Sequence, residues 1–187
     1  MKFCSQCGAP VSLRIPPGDT LPRHVCDCCH TIHYQNPKIV AGCIPEWQGR
    51  ILLCRRAIQP RYGLWTLPAG FMENGESTRQ AAAREALEEA NAVVDELTLY
   101  GVYHLTHIDQ VYMMFRGRLR EGRASAGAES LEVRLFTPDE IPWGELAFSV
   151  VEETLHRYLE ERASGVFRLH MGDITRDAQG RVVIERY

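Results

Sequence analysis

GFMENGESTRQAAAREALEEANA, residues Gly70 to Ala92, is the stretch on which the reading of this chain turns. From about Ser77 to Ala90 it predicts a helix. Ser77 can serve as N-cap, and Gln80 three positions later completes a capping box. Asn91 tolerates the left-handed conformation in which helices stop. At 3.6 residues per turn, Glu85, Glu88 and Glu89 share one face, and Ala82, Ala86 and Ala90 form the small-residue face beside it. Arg84 can pair with Glu88 one turn on, or reach back to Glu76. Carboxylates crowded this way repel each other unless a cation sits among them. Taken alone, the helix also fits a solvated charged surface. The turn Leu67-Pro68-Ala69-Gly70, after Trp65, changes that balance. It can bring backbone carbonyls beside the helix, and such oxygens suit a hard divalent cation. A cation of that kind points to phosphate chemistry.

Outward from this helix, strand patterns surround it. Ile39 to Pro45 reads as a buried strand, and Arg50 to Arg55 as a second after a turn at Gly49. Leu97 to Leu105, Gln110 to Leu119 and Leu131 to Thr137 follow. A second helix is expected from Ser149 to Ala163, where Val150, Val151, Leu155, Tyr158 and Leu159 make an apolar stripe. Strands interspersed with two helices predict an α/β fold, a sandwich around a mixed sheet. Residues 164–187 read as a β-hairpin with Gly180 near its turn. Its Val182, Val183 and Ile184 predict pairing with another sheet edge, in this chain or in a partner subunit. The expected division is 1–36, 37–163 and 164–187.

Five of the seven cysteines fall in the first 29 residues. Cys4-x-x-Cys7 and Cys26-x-x-Cys29, with 18 residues between the pairs, match the spacing of a tetrahedral Cys₄ zinc site. A segment this short cannot build a self-sufficient core, so a structural Zn²⁺ is expected. Cys28 lies between the ligands of the second pair and could replace Cys29; His30 and His33 are weaker alternatives. Cys43 and Cys54 sit in apolar runs and read as buried thiols. Of 187 residues, 21 are basic and 24 acidic, a net charge of −3, which argues against a strong sequence-independent grip on nucleic acid. No stretch approaches the ~20 apolar residues of a membrane span. The start, Met1-Lys2-Phe3-Cys4, carries no apolar segment like a secretory signal, so a reducing cytoplasm is the expected location.

The acidic run resembles the signature of the Nudix hydrolases, G-x5-E-x7-R-E-U-x-E-E-x-G-U, where U is a bulky aliphatic residue. Gly70, Glu76, Arg84, Glu85, Glu88 and Glu89 match it. Ala86 and Ala92 are small where a larger aliphatic residue is usual, and Asn91 replaces glycine. The resemblance implies a Nudix α/β/α sandwich and hydrolysis of a nucleoside diphosphate linked to another moiety. It implies that Glu85, Glu88 and Glu89, with the backbone carbonyl of Ala69, bind Mg²⁺ or Mn²⁺, and that Glu76 and Arg84 pair to hold the loop against the helix. It also implies a glutamate from the loop Gly127–Glu132 at the metal site or as general base, with Glu129 the first candidate and Glu132 the second; a surface acid loop is the plainer reading.

Arg55, Arg56 and Arg61 follow the second strand and are candidates for binding substrate phosphates, or else ordinary surface arginines. Trp65 and Phe71 flank the metal loop, where packing is a simpler role than base stacking. His104 and His107 could approach the site, with polar loop residues the plainer reading. With the segments His33–Lys38, Gly63–Gly70 and Leu146–Ser149, the chain is similar to the group that includes the plant chloroplast FAD pyrophosphatase, which also uses ADP-ribose. FAD would yield FMN and AMP. The zinc-ribbon NADH pyrophosphatase group, which also removes NAD caps from RNA, ranks second, because its S-Q-P-W-P-F-P-type segment has no counterpart in Tyr103–Gln110. A non-enzymatic zinc-ribbon nucleotide sensor is the third reading. A homodimer is the default expectation for such enzymes.

Overall fold

Alternation along two strands sets the two faces of the main sheet. β4 (Lys38–Trp47) and β5 (Arg50–Arg56) turn Ile44, Ile51 and Leu53 to one face, and Ala41, Cys43, Leu52 and Cys54 to the other. The first set packs with Val150, Val151, Leu155 and Tyr158 of helix α2 (Ser149–Arg162). The second packs with Ala81, Ala82, Ala86 and Ala90 of helix α1 (Thr78–Ala90). One helix therefore covers each face, the α/β/α arrangement expected. The computed structural model describes all 187 residues, which form two compact units, Met1–Pro37 and Lys38–Tyr187.

In the smaller unit, β1 (Val11–Arg14), β2 (Arg23–Cys26) and β3 (Ile32–His33) make an antiparallel sheet in the order β1-β2-β3. In the larger unit the sheet has nine strands. Two are short: β6 (Trp65–Thr66) pairs with β5, and β7 (Ala69–Phe71) pairs with β4. Leu67-Pro68 separates them, and neither is long enough to register as a periodicity. The others are β8 (Val94–Leu105), β9 (Gln110–Leu119), β10 (Ser130–Phe136), β11 (His170–Arg176) and β12 (Val182–Arg186), in the path β10-β5-β4-β9-β8-β11-β12. β4 and β9 run parallel whereas β8 and β9 run antiparallel, so the sheet is mixed. Cys43 and Cys54 are buried on the α1 face.

Helix α1 is bounded as its sequence implies. Ser77 Oγ accepts from the Gln80 N–H at 3.3 Å, and Gln80 Oε1 accepts from the Ser77 N–H at 2.8 Å. Asn91 closes the helix in the left-handed region, at φ 47° and ψ 32°. Ala86 and Ala92 are fully buried. Both belong to the buried cluster that includes Ala41 and Cys43 of β4, where the small side chain of Ala86 suits close packing of α1 on the sheet.

The tail forms the expected hairpin, and its edge partner is in its own chain. β11 runs parallel to β8, with His170 opposite Gly101 and Asp173 opposite His104, and β12 returns antiparallel to β11. The Asp177 carboxylate holds the turn by accepting from the N–H groups of Gln179 and Arg181, both at 2.9 Å. Residues 164–187 thus belong to the same compact unit as the strands and helices before them. No helix is long and apolar enough to cross a membrane.

Candidate functional site

Arg84 organises the acidic site. All five of its N–H groups are used. Nε and Nη2 grip the two oxygens of Glu76 at 3.1 and 2.8 Å, a bidentate pair. Nη1 donates to Glu85 at 2.7 Å and to Glu88 at 2.9 Å, and Nη2 also donates to the Phe71 carbonyl at 3.0 Å. Glu76 in turn accepts from the Glu73 N–H at 2.7 Å. One guanidinium thereby ties the loop Phe71–Glu76 to the second turn of α1.

The three helix glutamates do not share one face equally. Glu85 and Glu89, one turn apart, are 8% and 5% exposed, whereas the Glu88 side chain is 56% exposed. Residues three apart differ by about 60° around the axis, and four apart by about 40°. Glu85 and Glu89 therefore point under the β6–β7 turn while Glu88 flares to its rim. Gly70 makes room: a Cβ there would run into the Glu85 carboxylate. Glu89 accepts from the Ala69 N–H at 3.2 Å. The Ala69 amide thus joins the β6–β7 turn to the acidic helix, and the neighbouring Pro68 carbonyl accepts from the Cys43 N–H at 3.1 Å.

Burial pushes Glu89 up to about 8, with the charge of Glu85 adding to it, against the opposing Ala69 N–H. Burial likewise raises Glu85, opposed by Arg84 and reinforced by Glu88 and Glu129. Two buried carboxylates held beside each other at such a cost are a donor set that fits a hard divalent cation. Glu85, Glu88 and Glu89 are the residues that would hold it.

Glu129 and Glu132 part company. The charge of Glu129 acts on both Glu85 and Glu89. Its loop is strapped to the end of α1: Asn91 Nδ2 donates to the Ser125 and Ala126 carbonyls, both at 3.2 Å, and the Gly127 N–H donates to the Glu89 carbonyl at 3.0 Å. Gly127 allows this approach, since a Cβ there would collide with the Glu88 carbonyl. Glu132 lies on β10 and faces Arg55 at 3.9 Å. The arginines separate in the same way. Arg56 is buried, donates to the Pro60 carbonyl at 2.9 Å, lies over the Phe148 ring at 5.1 Å and acts on Glu89 through its charge. Arg55, one residue earlier, points to the opposite face and binds the Gly63 carbonyl at 2.9 Å.

A cleft of about 610 Å³ opens beside these groups. Arg56, Arg61, Ala69 and Phe71 line it, as does His107, while Arg55 and Glu132 do not. Trp65 is buried edge-on against Phe136 and serves packing, whereas Phe71 is half exposed on the cleft wall under Lys38 Nζ. His104 lies away from the cleft, paired with Asp173 at 2.9 Å. The sequence reading missed Tyr112, Glu152, Arg176 and Val182 as lining residues. Alternation along β9 could have suggested Tyr112. Nothing local to 176 or 182 marks them. Leu146–Ser149, flagged as a segment, forms one wall because the Ala147 N–H donates to the Trp65 carbonyl at 2.8 Å.

In the smaller unit the thiols of Cys4, Cys7, Cys26 and Cys29 lie within 4.8 Å of one another, and Cys28 is not among them. Cys4 and Cys29 sulfurs are 3.6 Å apart, and Cys7 and Cys26 sulfurs 3.4 Å. A tetrahedral zinc at about 2.3 Å from each sulfur needs separations of about 3.8 Å, so the four thiols fit that ion. The N–H groups of Cys28 and Cys29 donate to the Cys26 sulfur at 3.4 and 3.3 Å, the support that a thiolate ligand needs.

A family profile described as NUDIX domain matches residues 36–161, and one described as Nudix N-terminal, a zinc-ribbon profile, matches residues 2–35. The chain belongs to the Nudix family. Within that family, a Nudix hydrolase from Nitrosomonas europaea of known crystal structure is 61% identical, with a TM-score of 0.90 over 94% of this chain and 100% of that one. A protein named NAD-capped RNA hydrolase NudC from Vibrio vulnificus is 30% identical over 83% of this chain and 59% of its own length. One named ADP-ribose pyrophosphatase from Methanocaldococcus jannaschii is 31% identical over 62% of this chain and 69% of its own. The chain thus spans about three fifths of the length of the NudC relatives it matches.

Proposed function

We propose that this Nudix protein hydrolyses the diphosphate of a nucleoside diphosphate derivative, with ADP-ribose or FAD as substrate. The buried pair Glu85 and Glu89, set behind the cleft-lining Ala69 whose N–H donates to Glu89, beside a cleft that carries Arg56, is the observation that carries the reading. Bound Mg²⁺ or Mn²⁺ supplies neutralisation of the diphosphate and activation of water. Arg56 and Arg61 meet the phosphate oxygens and orient the chain of the substrate along the cleft. Arg84 keeps Glu85 and Glu88 in place from behind, with Glu76 fixing the arginine. Glu129 accepts the proton of the attacking water at a carboxylate oxygen. One P–O bond forms to that water and the bridging P–O bond breaks; ADP-ribose gives AMP and ribose 5-phosphate, and FAD gives AMP and FMN. The Methanocaldococcus relative supports ADP-ribose by its name.

A second reading, removal of NAD from capped RNA or hydrolysis of NADH, is favoured by the several NudC relatives. A panel at equal concentrations of ADP-ribose, FAD, NADH and NAD-capped RNA, with Mg²⁺ or Mn²⁺, separates the two. Preference for ADP-ribose or FAD upholds the first reading, and preference for NADH or the capped RNA installs the second. No turnover of any member overturns both.

A further inference from the structure

The C-terminal hairpin does more than cover a sheet edge. Cross-strand pairs in an antiparallel hairpin alternate between its faces. On one face lie Gly172 opposite Arg186, Ile174 opposite Ile184, and Arg176 opposite Val182, in that order along the hairpin. The first pair is anchored on α2. Arg186 Nε and Nη2 donate to the two oxygens of Glu153, each at 2.8 Å, and Glu153 is 3% exposed. The second pair is packed: Ile174 is fully buried and Ile184 rests against the same core. The third pair lies at the free end of the same face, and both of its members line the cleft with Ala69, Arg56 and Phe148. The register that seats the first two pairs therefore also delivers the third.

We infer that Arg176 and Val182 contact the bound nucleotide and set which derivative the cleft prefers. The inference rests on the reading of the cleft as the site for a nucleoside diphosphate derivative. Arg176 Nη1 donates to the Gly180 carbonyl at 2.8 Å, which steadies the guanidinium over the turn, and its other N–H groups have no protein partner. With Arg56 and Arg61 it makes three arginines around one cleft, against the single carboxylate of Glu152. That balance suits an anionic ligand. Val182 extends the apolar wall of Phe148, Tyr112 and Leu105, which suits a flat ring. Both residues lie beyond the family profile, which ends at 161, so the contact would differ among relatives and tune selectivity without altering the acidic machinery.

The test compares the full chain with Arg176→Ala, Arg176→Lys and Val182→Asp, using ADP-ribose, NADH and FAD as substrates. Arg176→Ala should raise KM about fivefold or more for at least one substrate, with kcat falling by less than KM rises. Arg176→Lys should fall between it and the parent, Val182→Asp should reorder the panel, and melting should be unchanged in all three. If every KM stays within twofold in Arg176→Ala and Val182→Asp while the parent enzyme turns over, the inference is wrong and the proposed function stands. If the parent turns over nothing, calorimetry with ADP-ribose decides. Weaker binding by Arg176→Ala then upholds the contact although the hydrolytic reading fails, and equal or absent binding overturns the contact too.

Discussion

Glu89→Gln separates the charge of the acidic site from its shape. The amide is nearly isosteric with the carboxyl, and its oxygen can still accept from the Ala69 N–H. In the parent protein, burial holds Glu89 at about 8 against an ordinary 4.5. A carboxyl raised on folding contributes stability that is complete below the lower value and is lost as pH rises through the higher one. Each pH unit between them is worth about 1.4 kcal/mol, so raising pH from 6 to 8 should cost about 2 kcal/mol without divalent cations. For a domain of this size that is roughly 4–8 °C of melting temperature. Glu89→Gln should lack this slope and melt higher than the parent at pH 8. Tryptophan fluorescence is the right probe, because Trp47, Trp65 and Trp143 all lie in the larger unit. No chelator is needed, so the four-cysteine cluster is undisturbed. Mg²⁺ should then restore the parent more at pH 8 than at pH 6 and leave the variant nearly unmoved, and turnover by the variant should fall by ~10²-fold or more. Equal pH slopes in the two proteins, or equal stabilisation of both by Mg²⁺, would refute the argument that burial of this charge builds the cation site.

Three further outcomes are expected. Glu129→Gln should lower kcat by ~10²-fold or more with melting unchanged, whereas Glu132→Gln should stay within about threefold, measured on the best panel substrate. Gly70→Ala forces its methyl into the Glu85 carboxylate and should abolish the Mg²⁺-induced thermal shift together with activity. Cys26→Ser should remove bound zinc, read by atomic absorption, and abolish amide protection in Val11–Cys26.

Much of this architecture was legible because local chemistry and long-range packing agree. The caps of α1, the alternation of β4 and β5 and the thiol spacing each state their outcome within a few residues. Helix pitch also fixed the spacing of the acidic run, so its carboxylates could be placed close together on α1 from sequence. Pitch alone did not say that Glu88 would flare out while Glu85 and Glu89 were buried; that follows from where the β6–β7 turn sits over the helix. Arg55 and Arg56 were indistinguishable until the strand register assigned each a face. Arg176 and Val182 stayed hidden for a different reason: their place in the cleft comes from pairing between β11 and β8, some seventy residues apart in sequence, which no local pattern encodes.

Asn91 stands where the family signature has glycine, and the exchange has a mechanical consequence. Glycine would satisfy the left-handed backbone and nothing else. The asparagine amide also reaches across to the backbone of 125–126, so the segment bearing the second acid is tethered to the stem bearing the first ones. A displacement of either segment therefore pulls on the other through those two hydrogen bonds. One exchange of glycine for asparagine thus adds a tie between the end of α1 and the loop that follows β9.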